Sequence, residues 1–200
     1  MLAGGPFTGL SRCALVERYL GERSLGADGR RTCLVVWRAL EAVMERQTAI
    51  EPLTITRASE AEGEWAAALM AASQPSITLG RTIEQCRERL HSPDCMLFIS
   101  HAGGQPSGFI LIQRRGVAGS PYVVSLAVAE HFRSCGIGSR LLGFAEDLFR
   151  AEARHIFLCV SSFNHRARAL YERLGYIAIA ELEDYVIRGA SEILMHKRLR

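Results

Sequence analysis

The segment from Arg133 to Ser139 has residue types that could hold an anionic group. It reads Arg-Ser-Cys-Gly-Ile-Gly-Ser and lies between an apolar strand pattern and a helical pattern. The unpaired N–H groups in the first turn of a helix and the positive end of its dipole both attract phosphate. Glycine at positions 136 and 138 lets such a group approach the backbone closely. The loop is therefore a candidate phosphate site, although a glycine pair before a helix is also typical of a simple tight turn.

The spacing of the glycines excludes two common nucleotide sites. The dinucleotide fingerprint requires three glycines, as Gly-x-Gly-x-x-Gly, and an acidic residue about 20 positions later. The phosphate-binding loop of nucleotide triphosphatases requires Gly-Lys-Ser or Gly-Lys-Thr. This chain has neither pattern and instead has Arg-x-x-Gly-x-Gly.

A second group of candidate residues lies in the segment NHRARALYERLGY, which begins at Asn164. Asparagine is a good helix N-cap, and Ala167 and Tyr171 are four residues apart, so they lie on one helical face. The small alanine leaves room for a ligand beside the helix. Tyr171 could also be an ordinary helix tyrosine packed in the core.

Together these two motifs resemble those of the GNAT N-acetyltransferase superfamily. The signature Gln/Arg-x-x-Gly-x-Gly/Ala is met by Arg133, Gly136 and Gly138. The second signature, Asn-x-x-Ala-x-x-x-Tyr-x-x-x-Gly-Phe, is met from Asn164 onward, with Tyr176 in place of the phenylalanine. The resemblance covers roughly residues 52 to 198. It implies an α/β fold with a mixed, mostly antiparallel sheet of about seven strands, four flanking helices and a splayed central strand pair.

The resemblance also implies the co-substrate and the roles of the residues. Acetyl-CoA would bind with its pyrophosphate at the glycine loop, its acetyl carbonyl and pantetheine at the preceding strand, and its pantetheine arm at Asn164. Tyr171 would be the catalytic residue, donating a proton to the departing thiolate, and no metal would take part. The implied cofactor-binding residues are Leu126, Ala127, Val128, Arg133, Ser134, Cys135, Gly136, Ile137, Gly138, Ser139 and Asn164.

The expected reaction is direct attack of a primary amine on acetyl-CoA in a ternary complex. The sequence leaves three classes of acceptor open: a protein N-terminus, a protein lysine and a small-molecule amine. The C-terminal half is most similar to the ribosomal-protein alanine N-acetyltransferases, which have a glutamate five residues before the asparagine. Here that position is Cys159, which we interpret as a structural cysteine of an apolar strand. A covalent acetyl-cysteine route is disfavoured because no histidine adjoins it in an activating arrangement.

Because an ammonium group cannot attack a thioester, the acceptor must first lose a proton to a base. The candidates are water and four acidic residues, each of which is also typical of a solvated surface: Glu130, Glu183, Asp184 and Glu192. A non-catalytic acyl-CoA-binding or regulatory module of the same fold is the alternative function.

The elements that must position these residues follow a mixed α/β order. We predict a strand over 53–58, two helices, three strands, a helix, a strand, a helix and two strands. The first helix opens with a capping box, Ser59 and Glu62. The apolar segment 122–130 is expected to be a strand buried on both faces.

The length of 200 residues and the hydrophobic content of 48% suit one domain. We assign residues 51–200 to the N-acetyltransferase domain and residues 1–50 to an N-terminal extension of uncertain order. Met44 is a possible alternative start.

The charge and cysteine patterns exclude several other classes. The net charge is +3, Lys197 is the single lysine, and acidic residues are interspersed among the arginines, so no nucleic-acid partner is expected. The 6 cysteines form no Cys-x-x-Cys pair, which argues against a metal site or a disulfide framework and favours a reduced, cytoplasmic compartment. No apolar run is long enough to span a bilayer, so no membrane partner is expected. The protein is expected to be a monomer or a homodimer.

Overall fold

The computed structural model describes residues 53–200. The predicted extension, residues 1–50, and Met44 lie outside the described residues. Seven strands and four helices occur in the described part of the chain. The strands are β1 Thr54–Arg57, β2 Cys95–Ala102, β3 Gln105–Gln113, β4 Tyr122–Val128, β5 His155–Ser161, β6 Ile177–Leu182 and β7 Glu192–Arg198. The helices are α1 Glu60–Ala71, α2 Ile83–Leu90, α3 Ile137–Phe149 and α4 His165–Arg173.

The seven strands form one sheet in the order β1-β2-β3-β4-β5-β7-β6. Every neighbouring pair is antiparallel except β4 and β5, which are parallel. Four helices flank this mostly antiparallel sheet, and the elements follow one another in the predicted order. The predicted fold class is confirmed.

The parallel pair β4 and β5 separates soon after it forms. Only Tyr122 and Val123 of β4 have partners on β5, namely Phe157 and Leu158. On its other side β4 stays paired with β3, but the register shifts so that Val124 is an extra residue. An extra residue of this kind bends its strand. The bend lies where β4 leaves β5, and it opens the sheet on that side.

The core has two layers because helices cover both faces of the sheet. Residues of α3 and α4 pack on one face, around Ile110 and Ile112 of β3. Residues of α1 and α2 pack on the other face, around Phe109 and Leu111. Since successive residues of a strand point to opposite faces, β3 is the strand that is buried on both sides.

The expectation that segment 122–130 is buried on both faces is wrong. In β4, only Val123 and Ala127 are buried, and the other residues are half-buried. The apolar pattern is the same in β3 and β4, but β4 is next to the open side of the sheet. Its side chains therefore border a cleft rather than a neighbouring strand.

The helix starts follow local capping chemistry. Glu62 accepts a hydrogen bond from the Ser59 backbone N–H at 2.8 Å, as expected for the capping box. Helix α2 begins at Ile83 because Thr82 caps it, accepting from the Gln85 N–H at 3.3 Å. Arg81 therefore precedes the helix instead of belonging to it. None of the helices in residues 53–200 is long and apolar enough to cross a membrane.

Candidate active site

The separation of β4 from β5 creates a cleft of about 1270 Å³. Ligand pockets for small molecules are commonly about 300–1,000 Å³, so this cleft has room for more than one small ligand. Its walls come from β4, the loop after β4, helix α4, the segment between α1 and α2, and the start of β7. It is thus lined by elements from both layers of the fold.

At one end of the cleft, the glycine loop leads into helix α3. Gly136 is the N-cap of α3 with a φ of 80°, a left-handed conformation that glycine adopts without strain. The first backbone hydrogen bond of the helix runs from the Arg140 N–H to the Gly136 carbonyl at 3.1 Å. The N–H groups of residues 137–139 therefore have no partner within the helix. Such a set of amides at the end of a 13-residue helix is suited to bind phosphate.

Gly138 allows close packing behind these amides. A β-carbon at this position would lie 3.2 Å from Cδ2 of Leu170 in α4 and 3.8 Å from Cδ2 of Leu126 in β4. The lack of a side chain thus keeps the start of α3 next to both walls of the cleft. The loop and its surroundings fit a phosphate-bearing ligand.

Two arginines border this end of the cleft. Arg133 donates from Nε to the Val128 carbonyl at 3.3 Å. Arg166, in the first turn of α4, donates from its guanidinium to the Ser134 hydroxyl at 3.1 Å. Arg166 is not among the residues predicted from the sequence, and it is at no defined position of either signature motif. Both guanidinium groups border the same cleft as the free amides of α3, and guanidinium groups bind phosphate well.

Helix α4 forms the wall beside the loop. Asn164 caps α4, accepting from the Ala167 N–H through Oδ1 at 3.3 Å, as predicted. Tyr171 is 8% exposed, packs in the core layer between α3 and α4, and also borders the cleft. Burial raises the pKa of Tyr171 to about 12. The phenol therefore keeps its proton at neutral pH, as a proton donor must.

The cleft brings together nearly all of the site residues predicted from the sequence. The residues that border it are Leu126, Ala127, Val128, Arg133, Ser134, Gly136, Ile137, Gly138, Ser139, Asn164 and Tyr171. Cys135 does not border the cleft, and its thiol lies 3.7 Å from the Arg133 carbonyl within the loop.

Of the four acidic candidates for the base, only Glu192 lines the cleft. It stands opposite Ser161 on the neighbouring strand and accepts a hydrogen bond from the Ser161 hydroxyl at 2.5 Å. The other three candidates are exposed and do not line the cleft: Glu130, Glu183 and Asp184. The carboxylate of Asp184 accepts from the Gly189 N–H at 2.6 Å, which is a role within a turn.

The interpretation of Cys159 as a cysteine of the packed core needs correction. Leu158 and Val160 are buried in the core layer beneath α3 and α4, so the residue between them points the other way, into the cleft. Burial and the nearby Glu192 raise the pKa of the Cys159 thiol. Burial and the nearby Cys159 also raise the pKa of Tyr122, which lines the same wall.

The segment before α2 and α2 itself bring two further arginines to the cleft, Arg81 and Arg89. Neither arginine is among the residues predicted from the sequence, because no short motif indicates them. Within residues 53–200, no group of three or more His, Cys, Asp or Glu side chains is arranged to hold a metal ion.

Comparison with known proteins identifies the family. The sequence pattern of the acetyltransferase (GNAT) family matches residues 61–176. An uncharacterized N-acetyltransferase of Methanocaldococcus jannaschii is 33% identical over 108 residues, which are 53% of this chain and 67% of the relative.

Two solved structures share the fold. The ribosomal-protein-S18-alanine N-acetyltransferase of Escherichia coli has a TM-score of 0.62 and 18% identity, covering 74% of this chain and 94% of the other. An aminoglycoside 6'-N-acetyltransferase complexed with coenzyme A has a TM-score of 0.61 and 16% identity, covering 74% of this chain and 97% of the other. Since the family pattern spans more than half of the chain, the protein belongs to the GNAT acetyltransferase family.

Proposed function

We propose that the protein is an acetyl-CoA-dependent N-acetyltransferase whose acceptor is a primary amine bound in the same cleft. The observation that carries this proposal is the composition of the cleft. One side offers free helix amides and a protonated phenol, and the other offers a carboxylate, Glu192. These groups suit a transferase that joins an amine to an acyl thioester: the amides bind phosphate, the carboxylate accepts the proton of the amine and the phenol protonates the thiolate.

The cofactor end of the cleft is formed by backbone groups more than by side chains. The free N–H groups of residues 137–139 would hold the pyrophosphate, assisted by Arg133 and Arg166. Beyond Val123 the edge of β4 that faces β5 has no strand partner, so the backbone of residues 126–128 is available to pantetheine and to the acetyl carbonyl. Asn164 borders the same path.

Acetyl-CoA supplies the acetyl group and, after transfer, a thiolate that must gain a proton. In this proposal Tyr171 donates that proton from its hydroxyl, since the residue borders the cleft and its phenol is neutral at physiological pH. Its ring is held in the core layer, so the hydroxyl has little freedom to move away from the cleft.

Glu192 takes the proton that the acceptor ammonium must lose, directly or through one water molecule. The hydrogen bond from Ser161 fixes its carboxylate at the edge of β7. Glu192 begins β7 and Tyr171 lies in α4, so the base and the acid come from different elements of the cleft wall.

The test is a calorimetric titration of the purified protein with acetyl-CoA, with CoA and NADH as comparison ligands. We expect binding of acetyl-CoA and CoA and no binding of NADH. Turnover is then measured as thiol release with two sets of acceptors, peptides with free N-termini and small-molecule amines. Absence of acetyl-CoA binding contradicts the proposal. Binding without turnover for any acceptor identifies a non-catalytic acyl-CoA-binding module instead.

A further inference from the structure

Two half-buried arginines border the cleft without a carboxylate partner in the described part of the chain. Arg81 precedes α2, Arg89 lies in its last turn, and both border the cleft. Within residues 53–200, neither forms an ion pair with a carboxylate. Nε of Arg89 is buried and has no hydrogen-bond partner there. Half-buried cations without a carboxylate partner are costly, so the parts of both guanidinium groups that border the cleft suit an anionic ligand.

Arg87, on the same helix, shows that carboxylates are available to α2. Its guanidinium donates to Glu64 of α1 at 2.8 Å and lies 3.6 Å from Glu84. The pair with Glu64 is half-exposed and belongs to the outer surface of the two helices. Arg81 and Arg89 border the cleft, whereas neither Glu64 nor Glu84 does.

A third unpartnered donor borders the cleft at the end of α1. Ser73 is 8% exposed, and its hydroxyl is buried without a hydrogen-bond partner in the described part of the chain. Buried hydroxyl groups in folded proteins are nearly always hydrogen-bonded. Ser73 is thus a further unsatisfied donor in the wall of the cleft, and the two guanidinium groups are the donors offered to an anion.

This set lies at the opposite end of the cleft from the phosphate loop. Arg81 is close enough to Arg89 and Glu192 for their charges to affect its pKa, which burial lowers most. The charges of Arg89 and Glu192 also affect the pKa of Tyr122, so these residues lie near Tyr122. Tyr122 begins β4, whereas the phosphate loop follows the end of β4. A strand of 7 residues spans about 20 Å at ~3.3 Å per residue, so the phosphates of one CoA molecule are held elsewhere.

Resting on the function proposed above, we propose that the acetyl acceptor is an amine that also carries a carboxylate, with Arg81 and Arg89 binding the carboxylate and Glu192 facing the amine. The charges of the three side chains match such a ligand, since two cations stand beside one anion in the same part of the cleft. Guanidinium groups are well suited to bind carboxylates because they present paired donors in a plane.

The carboxylate can come from a free amino acid or from an acidic side chain near the N-terminus of a peptide. Two pairs of acetylated products distinguish these sources by calorimetry with CoA-loaded protein, a measurement that requires no turnover. The first pair is N-acetylglycine and N-acetylglycinamide. The second pair is acetyl-Asp-Ala-Ala-Ala-amide and acetyl-Asn-Ala-Ala-Ala-amide.

In one of the two pairs, we expect the acid to bind at least about tenfold more tightly than its amide. A preference in the glycine pair identifies a free amino acid as the source of the carboxylate, and one in the peptide pair identifies an acidic side chain. Arg81→Met and Arg89→Met should each reduce this preference to about twofold or less, and Arg89→Lys should retain part of it because the charge remains. Arg87→Met is the matched control and should leave the preference unchanged. Acetyl-CoA affinity should be the same in all four variants, which also shows that they fold.

Equal binding of acid and amide in both pairs overturns this inference, whether or not the protein turns over an acceptor. A preference for the acid that persists in both Met variants overturns the assignment of Arg81 and Arg89. If the preference for the acid requires both arginines but the protein acetylates no amine, the anion site is supported. The proposed transferase function is then contradicted.

Discussion

The two ends of the cleft are built in different ways. The cofactor end uses the backbone of one continuous stretch, from β4 through the loop into α3, with helix α4 beside it. The acceptor end uses side chains from separate elements: Arg81, Arg89, Tyr122, Cys159 and Glu192. Adding a side chain should therefore damage the first end, whereas removing one should damage the second. The following substitutions test this contrast, beginning with the largest expected effect.

Gly136→Glu should abolish measurable acetyl-CoA binding, a loss of more than about 100-fold, or roughly 3 kcal/mol. The new carboxylate would occupy the phosphate site, and the φ of 80° would strain any side chain there. Gly143→Glu adds the same charge on the same helix, at a position where a β-carbon meets nothing within 4 Å. This control should bind acetyl-CoA normally in calorimetry. Unchanged affinity in Gly136→Glu would exclude the loop as the phosphate site.

Tyr171→Phe should lower kcat by about 100-fold and leave the acetyl-CoA affinity unchanged, because only the proton donor is lost. The pKa of about 12 also predicts that deprotonation of this residue does not reduce the wild-type rate below about pH 10. Tyr176→Phe is the control, since that ring is also buried but does not border the cleft. An equal rate in Tyr171→Phe would show that another group protonates the thiolate.

Glu192→Gln should lower kcat/KM for the acceptor by about 30-fold at saturating acetyl-CoA, because the amide cannot accept the proton of the ammonium. The affinity for acetyl-CoA should not change, since Glu192 belongs to the acceptor end. Glu183→Gln, at an exposed position away from the cleft, is the matched control and should behave as wild type. Similar losses in both variants would point to a general effect of charge instead of a base at position 192.

Cys159→Ser should change kcat by less than about threefold, because a thiol whose pKa is raised carries little thiolate at neutral pH. The same shift predicts that iodoacetamide modifies Cys159 more slowly than free cysteine at about pH 7.5. Mass spectrometry of the modified protein measures this rate. Loss of most activity in Cys159→Ser, with a trapped acetylated cysteine in the wild type, would contradict direct transfer.

The fold could be predicted from the sequence because its signals are local or periodic. The order of elements, the capping of α1 by Ser59 and Glu62, and the capping of α4 by Asn164 all follow from residues close together in the chain. Local signals could not predict that β3 and β4 differ in burial. Both strands are apolar, and only their neighbours in the sheet decide that β3 is enclosed while β4 borders an opening.

Which acidic residue borders the cleft could not be predicted from the sequence either. The sequence offered four acidic candidates, and only the pairing of β5 with β7 brings Glu192 opposite Ser161 and to the cleft. Cys159 was assigned to the core from an apolar pattern, but the alternation of β5 turns it toward the ligand side. Side chains from distant parts of the chain meet only after the sheet has formed.

By itself, the sequence determined the family signature, because its residues are at fixed, short spacings within one loop and one helix. These residues are Arg133, Gly136, Gly138, Asn164 and Tyr171. Backbone conformation and helix periodicity convert such spacing directly into geometry. The tertiary structure alone decided what faces the amine. Arg81, Arg89 and Glu192 are brought together by sheet order and helix packing, and these depend on long-range contacts that leave no local pattern in the chain.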